Sequence, residues 1–187
     1  MHAEVLEYVS RFATEEPVAV LDIGGRDVNG TSRHLFPRAE PYVVLDLRPD
    51  DNVDIVADAA TWVPNRLYDI VICTEVFEHT ADWPAIAVTA FHALRAGGRF
   101  VVTCAGPGRA PHSAIEATAL QPGEYYENVS RDDLAERLRT VGFGFVAVER
   151  ANLDTRGTAI KERPDSLQTP VGRFWGGDGR RGTTRWG

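Results

Sequence analysis

VLDIGGRDVNG, residues 20–30, runs from an apolar segment through Asp22 into Gly24 and Gly25 and on to a third glycine, Gly30. Aliphatic residues ahead of a glycine pair describe a strand buried on both faces that turns sharply at its carboxyl end. In open α/β sheets ligands bind at those carboxyl ends, where a glycine turn lets backbone N–H groups come close. The stretch therefore predicts a first strand that ends in a ligand site, with an acid beside it.

The chain around it repeats the pattern. Residues 2–13 set Val5, Leu6, Val9 and Phe12 at helical spacing. Strands are predicted at 17–23, 42–47, 53–59, 68–76 and 97–106, and a helix over 81–96 with an Ile86, Ala90, Phe91 and Leu94 stripe and Pro84 in its first turn. Ser130 with Asp133 opens a helix that Gly142 ends. Residues 144–151 and 156–163 then read as two strands joined by NLDT, short enough for an antiparallel hairpin. Strands alternating with helices give a mostly parallel sheet, to which the hairpin adds one antiparallel edge strand.

At 187 residues the chain suits one domain, read here as 1–163, followed by a Gly/Arg/Trp-rich tail over 164–187 that carries four arginines against two aspartates. The tail is expected to be mobile, with partner binding as its alternative use. No apolar run approaches the roughly 18 residues that span a bilayer, and the N-terminus lacks secretory character, so a cytoplasmic protein is expected. Cys73 and Cys104 lie in apolar strands and read as reduced, buried thiols. A net charge of −7 opposes phosphate backbones and disfavours nucleic acid as a partner.

Two cofactor classes fit a glycine turn of this kind. The dinucleotide fingerprint G-x-G-x-x-G, counted from Gly24, needs glycine where Arg26 and Asn29 stand. The acid and glycines instead resemble the first motif of the class I S-adenosylmethionine-dependent methyltransferases, in which Arg26 replaces a second glycine and Gly25 stands one place early to take the unusual backbone angles. YDIVICTEVFEHTADW (68–83) and LRAGGRF (94–100) are similar to the fourth strand and following turn of small-molecule members, and the likeness covers about 15–163. It implies a doubly wound, Rossmann-like sheet of seven strands. It also implies S-adenosyl-L-methionine as cofactor, held by Asp22, Gly24 and Gly25, by Asp46 at the ribose hydroxyls, by Asp58 and Ala59 at the adenine edge, by Glu75 near the sulfonium, and by Leu47 and Thr74.

The implied reaction moves a methyl group to an oxygen or nitrogen of a small-molecule acceptor by in-line displacement, which depends on positioning and, for a hydroxyl, on a base. His79 and, from the loop 106–130, His112 and Tyr126 are the candidate catalytic residues, with Tyr125 and Tyr126 as a lid. Glu75, Glu78 and His79 form an E-x-x-E-H cluster, but no other His or Cys stands at ligand spacing, so no metal is expected. Neither the Asn/Asp-Pro-Pro-aromatic run of base-amino methyltransferases nor a Pro-Cys turn is present. An oligomer or a partner protein could present the acceptor. Two alternatives stand beside this reading: a nicotinamide-dependent oxidoreductase, and a non-catalytic cofactor-binding adaptor working through the tail.

Overall fold

The aliphatic run that opens the glycine turn forms the centre of a sheet. In the computed structural model, which describes residues 3–163 except Asn29, Glu116 and Ala117, the strands are β1 (Val20–Ile23), β2 (Tyr42–Asp46), β3 (Ile55–Val56), β4 (Tyr68–Thr74), β5 (Leu94–Ala105), β6 (Phe145–Ala151) and β7 (Asp154–Ile160). They lie in the order β3-β2-β1-β4-β5-β7-β6. β1 pairs in parallel with both β2 and β4, with Asp22 opposite Val44 and Ile72. Only β7 runs against its neighbours, on both sides. The hairpin thus supplies the expected antiparallel strand, seated one place in from the edge so that β6 closes the sheet.

Side-chain alternation distributes two apolar layers. Leu21, Ile23, Val71, Cys73, Val102 and Cys104 face the helices α2 (Trp83–Ala93) and α3 (Arg131–Val141), where Ile86, Ala90, Leu134 and Leu138 meet them. Val20, Val44, Ile70, Ile72 and Val101 face α1 (Ala3–Ser10), which buries Val5, Tyr8 and Val9. Each such side chain contributes about 1.5–3 kcal/mol on leaving water. Both cysteines are free and buried, and burial pushes their thiols well above the usual range, as suits inert packing groups.

The cap expected at Ser130 forms, its hydroxyl accepting from the Asp133 N–H, and Gly142 ends α3 with φ 113°. Two sequence expectations shift. α2 stops at Ala93, three residues short of the predicted end, because Leu94 takes extended angles and opens β5, whose irregular start bends at Gly97 with φ 84°. Between β1 and β4, moreover, the connections hold no α-helix among the described residues, only a 3₁₀ turn at Arg33–Leu35. The predicted 164–187 tail lies outside the described residues.

Candidate functional site

At the end of β1 it is Gly24, not Gly25, that takes the left-handed backbone, with φ 74°. A Cβ there would sit 2.2 Å from Val76 Cγ2. Gly25 is required by space instead, since a Cβ on it would lie within 2.6–2.9 Å of all three carboxyl atoms of Asp22. The turn therefore closes onto the acid. Asn52 clamps it from outside, its Nδ2 donating to the Gly25 carbonyl at 2.9 Å and its Oδ1 accepting from the Asp27 N–H at 3.2 Å.

Asp22 is almost wholly buried. Its Oδ2 accepts from the Tyr42 hydroxyl at 2.6 Å and lies 3.5 Å from the Ser32 hydroxyl, whereas Oδ1 has no hydrogen-bond partner. Burial raises its carboxyl to about 6 against those two stabilising bonds. Asp46 ends β2 with its carboxylate fixed by backbone N–H groups, from Arg48 to Oδ1 at 2.9 Å and from Arg26 to Oδ2 at 3.4 Å. The Arg26 side chain, where the resembling family has glycine, crosses to the Ile115 carbonyl at 3.4 Å and so ties the glycine turn to the long loop. Asp58 is exposed, and its Oδ1 accepts from the Ala60 N–H at 2.9 Å.

Across the cavity the polar groups are packed more deeply. Glu75 occupies the left-handed region at φ 57°, a strained position for a residue with a side chain. Its Oε1 accepts from the Thr103 hydroxyl at 3.0 Å, and its Oε2 lies 2.7 Å from Arg109 Nη1. Arg109 also reaches Asp154 at 2.6 Å, and Asp154 pairs with Arg156 at 3.0 Å, a nearly buried chain of alternating charge. Glu78 is fully buried. Its Oε1 accepts from the Ala105 N–H at 3.0 Å, and its Oε2 has no hydrogen-bond partner. Burial, reinforced by the neighbouring Glu75, pushes its carboxyl well above the usual carboxylate range. The rings of His79 and His112 lie 5.0 Å apart edge to face, and Tyr126 packs 5.5 Å and 5.1 Å from them. Burial, aided by the neighbouring His112, lowers His79 to about 4, so its imidazole is neutral at pH 7.

One cavity of about 540 Å³ joins these groups. Every predicted cofactor residue lines it (Asp22, Gly24, Gly25, Asp46, Leu47, Asp58, Ala59, Thr74 and Glu75), and so do His79 and His112. Tyr126 does not. It stands behind the two imidazoles, with its hydroxyl 3.4 Å from Asn128 Nδ2, while Tyr125 takes the place on the cavity wall. Sequence reasoning missed Asn52, Arg109 and the Ser113–Glu124 bond, at 2.8 Å, that folds the loop. None belongs to a strand-end pattern; Asn52 and Arg109 act across long sequence separations, and the Ser113–Glu124 bond spans 11 residues of an irregular loop. The fit to a nucleoside carrying a cationic amino-acid chain rests on two observations: the unpartnered Asp22 Oδ1, and the backbone of Gly24 and Gly25 lining the same cavity as the carboxylates of Asp22, Asp46 and Asp58.

The known proteins agree with this geometry. A family model described as a methyltransferase domain matches residues 1–148. The chain belongs to that family, and with it to the class I S-adenosylmethionine-dependent methyltransferases that its motifs resemble. Its fold is similar to that of DhpI, solved in complex with SAH, at 19% identity over 84% of this chain and 83% of that one, with a TM-score of 0.63. It is also similar to the Burkholderia thailandensis 1,6-didemethyltoxoflavin-N1-methyltransferase, solved with its acceptor and S-adenosylhomocysteine, at 17% identity, 85% and 79% coverage and a TM-score of 0.65. A third similar structure is Haemonchus contortus phosphoethanolamine N-methyltransferase 2 with S-adenosyl-L-methionine, at 16% identity and a TM-score of 0.62, of which this chain spans about half (52%). No curated protein matches the sequence. Among the described residues no helix is long and apolar enough to cross a membrane.

Proposed function

We propose that this chain, through a single domain over residues 1–163, transfers the methyl group of S-adenosyl-L-methionine to an oxygen or nitrogen of a small-molecule acceptor. One observation carries the reading: acids at the ends of β1 and β2 and just after β3 open onto the same cavity as the strand-end glycine turn, and two histidines face them from the other side. When bound, the cofactor supplies a methyl group made electrophilic by a positive sulfur.

The protein's part is positioning and charge. Asp46, already oriented by two backbone N–H groups, keeps lone pairs for the ribose hydroxyls. Leu47, 69% exposed on the cavity wall, and Ala59 offer apolar flanks for the adenine, with Asp58 at its amino edge. Asp22 Oδ1 and the backbone of Gly24 and Gly25 receive the methionine portion, and Glu75 places negative charge near the sulfonium. His79, neutral at pH 7, holds a lone pair available to an acceptor proton, and His112 narrows the approach beside it. The small-molecule class draws support from the acceptors named for the toxoflavin and phosphoethanolamine enzymes.

Calorimetric titration of the purified chain tests the reading. S-adenosyl-L-methionine is expected to bind at one equivalent, NAD not to bind, and incubation with a panel of phenols and amines to release S-adenosylhomocysteine. Binding of NAD without binding of S-adenosyl-L-methionine overturns the proposal in favour of an oxidoreductase. Cofactor binding without turnover of any acceptor, coupled to a partner that needs residues 164–187, favours an adaptor instead.

A further inference from the structure

Three ligand-bearing side chains converge on the acceptor side of the cavity. One ligand atom each from Glu78, His79 and His112 lies within 4.8 Å of the other two. Two features of the local fold leave them available. Glu75, the other acid of the E-x-x-E-H run, is engaged by Thr103 and Arg109 and drops out of the set. Glu78 spends only Oε1, on the Ala105 N–H, and its fully buried Oε2 has no hydrogen-bond partner, nor does the buried Nδ1 of His79. The third member comes from 33 residues further on, through a loop pinned by the His112–Ala119 bridge, which is why sequence spacing gave no sign of it. His112 Nδ1 sits 3.2 Å from the Ala110 carbonyl. Donation there fixes the tautomer and leaves Nε2 with a lone pair, the usual support behind a ligating imidazole.

We propose that Glu78, His79 and His112 form a binding site for a divalent transition cation, which holds the oxygen of a hydroxyl-bearing acceptor in a coordination position open to the cavity. Two imidazoles and one carboxylate suit zinc, manganese, cobalt or iron(II) rather than magnesium or calcium, which favour all-oxygen shells. Three protein donors with further positions open is the arrangement of catalytic rather than structural sites. A cation about 2.0–2.2 Å from each donor draws the ligand atoms to about 3–3.5 Å apart. That is a closing of roughly an ångström, within the reach of small side-chain rotations. Both histidines line the cavity while Glu78 lies behind them, so the open positions face the acceptor. With the His79 lone pair engaged by the cation, the acceptor proton leaves to solvent instead of to His79, since a bound cation draws charge from the acceptor oxygen and favours its deprotonated form at neutral pH. This inference rests on the reading of the cavity as a methyl-transfer site, and it narrows the acceptor to a hydroxyl.

The test uses the full chain without an affinity tag, stripped with a chelator and titrated with Co²⁺ by calorimetry and visible absorption. One equivalent is expected to bind at micromolar concentration with a ligand-field band. His112→Ala and Glu78→Gln are each expected to weaken it at least about tenfold, while His92→Ala, an exposed residue of α2, changes nothing. Gln at 78 keeps an acceptor for the Ala105 N–H, and His112 stands in a loop, so both variants preserve the fold. Absence of stoichiometric Co²⁺ binding overturns the site, as does binding that survives the Glu78→Gln/His112→Ala double variant. S-adenosyl-L-methionine is titrated in parallel. Cofactor bound without Co²⁺ sinks the cation site alone, whereas Co²⁺ bound without cofactor upholds the site and sinks the methyl-transfer reading.

Discussion

The two walls of the cavity are built differently. On the side of β1, β2 and β3 two of the carboxylates are fixed by neighbours in sequence, Asp46 by Arg48 and Asp58 by Ala60, while Asp22 is held by the Tyr42 and Ser32 hydroxyls. On the side of β4 and β5 every polar group is held from far away, Glu78 by Ala105, Glu75 by Thr103 and Arg109, and His79 against His112 and Tyr126. The first wall is a set of nearly independent contacts, so substitutions there should add. The second is one coupled assembly, in which removing a member disturbs the rest.

The largest effect expected is on the coupled wall. His79→Gln should lower kcat by about 10²–10⁴-fold while leaving cofactor affinity within twofold; equal loss of cofactor affinity in calorimetry would erase the division between the walls. Next comes Asp22. Its carboxyl is raised to about 6 when folded, so the folded state keeps a proton that the unfolded chain gives up near 4, and stability falls as pH rises through that window. Asp22→Asn removes the buried charge and should gain about 2–3 kcal/mol in urea unfolding at pH 7.5 and almost nothing at pH 4, at the expense of cofactor binding. A gain independent of pH would mean that burial is not the cause.

On the local wall, Asp46→Ala should weaken the cofactor by about 1.5–3 kcal/mol without moving the thermal midpoint, because the residue carries no core packing. Unchanged affinity in the same titration would remove it from the site. The smallest effect is predicted for Tyr126→Phe, which keeps the ring behind both imidazoles and loses only a 3.4 Å contact to Asn128. Its kcat should stay within about fivefold of the parent, since a single weak neutral bond is worth about 0.5–1 kcal/mol. A large drop would restore that hydroxyl to the chemistry.

The same contrast explains what could be read from the chain alone. Strand ends, glycines and acids that act within a few residues leave a local signature, and VLDIGGRDVNG with Asp46 and Asp58 points both to the sheet and to one wall of the cavity. Within that signature it is Gly24 rather than Gly25 that takes the left-handed backbone, and a second reason for glycine there, the close approach of Val76, comes from another segment. The acceptor side leaves no such trace. The partnership of His79 with His112 and the links from Glu75 to Arg109 and Asp154 exist only after β4, β5, the long loop and the hairpin have been brought together. Tyr126 rather than Tyr125 reads from sequence as the catalytic candidate for the same reason, since adjacent loop residues cannot be oriented without the packing beneath them.

The alternating ions that run from the cavity floor into β7 have a consequence for dissecting the molecule. A chain cut ahead of residue 154 would strand Arg109 beside Glu75 with half its counter-charge removed, and would strip β5 of the neighbour along its outer flank. The terminal hairpin is therefore a foundation for the catalytic pocket rather than trim at the margin, and a minimal transferase fragment must retain it.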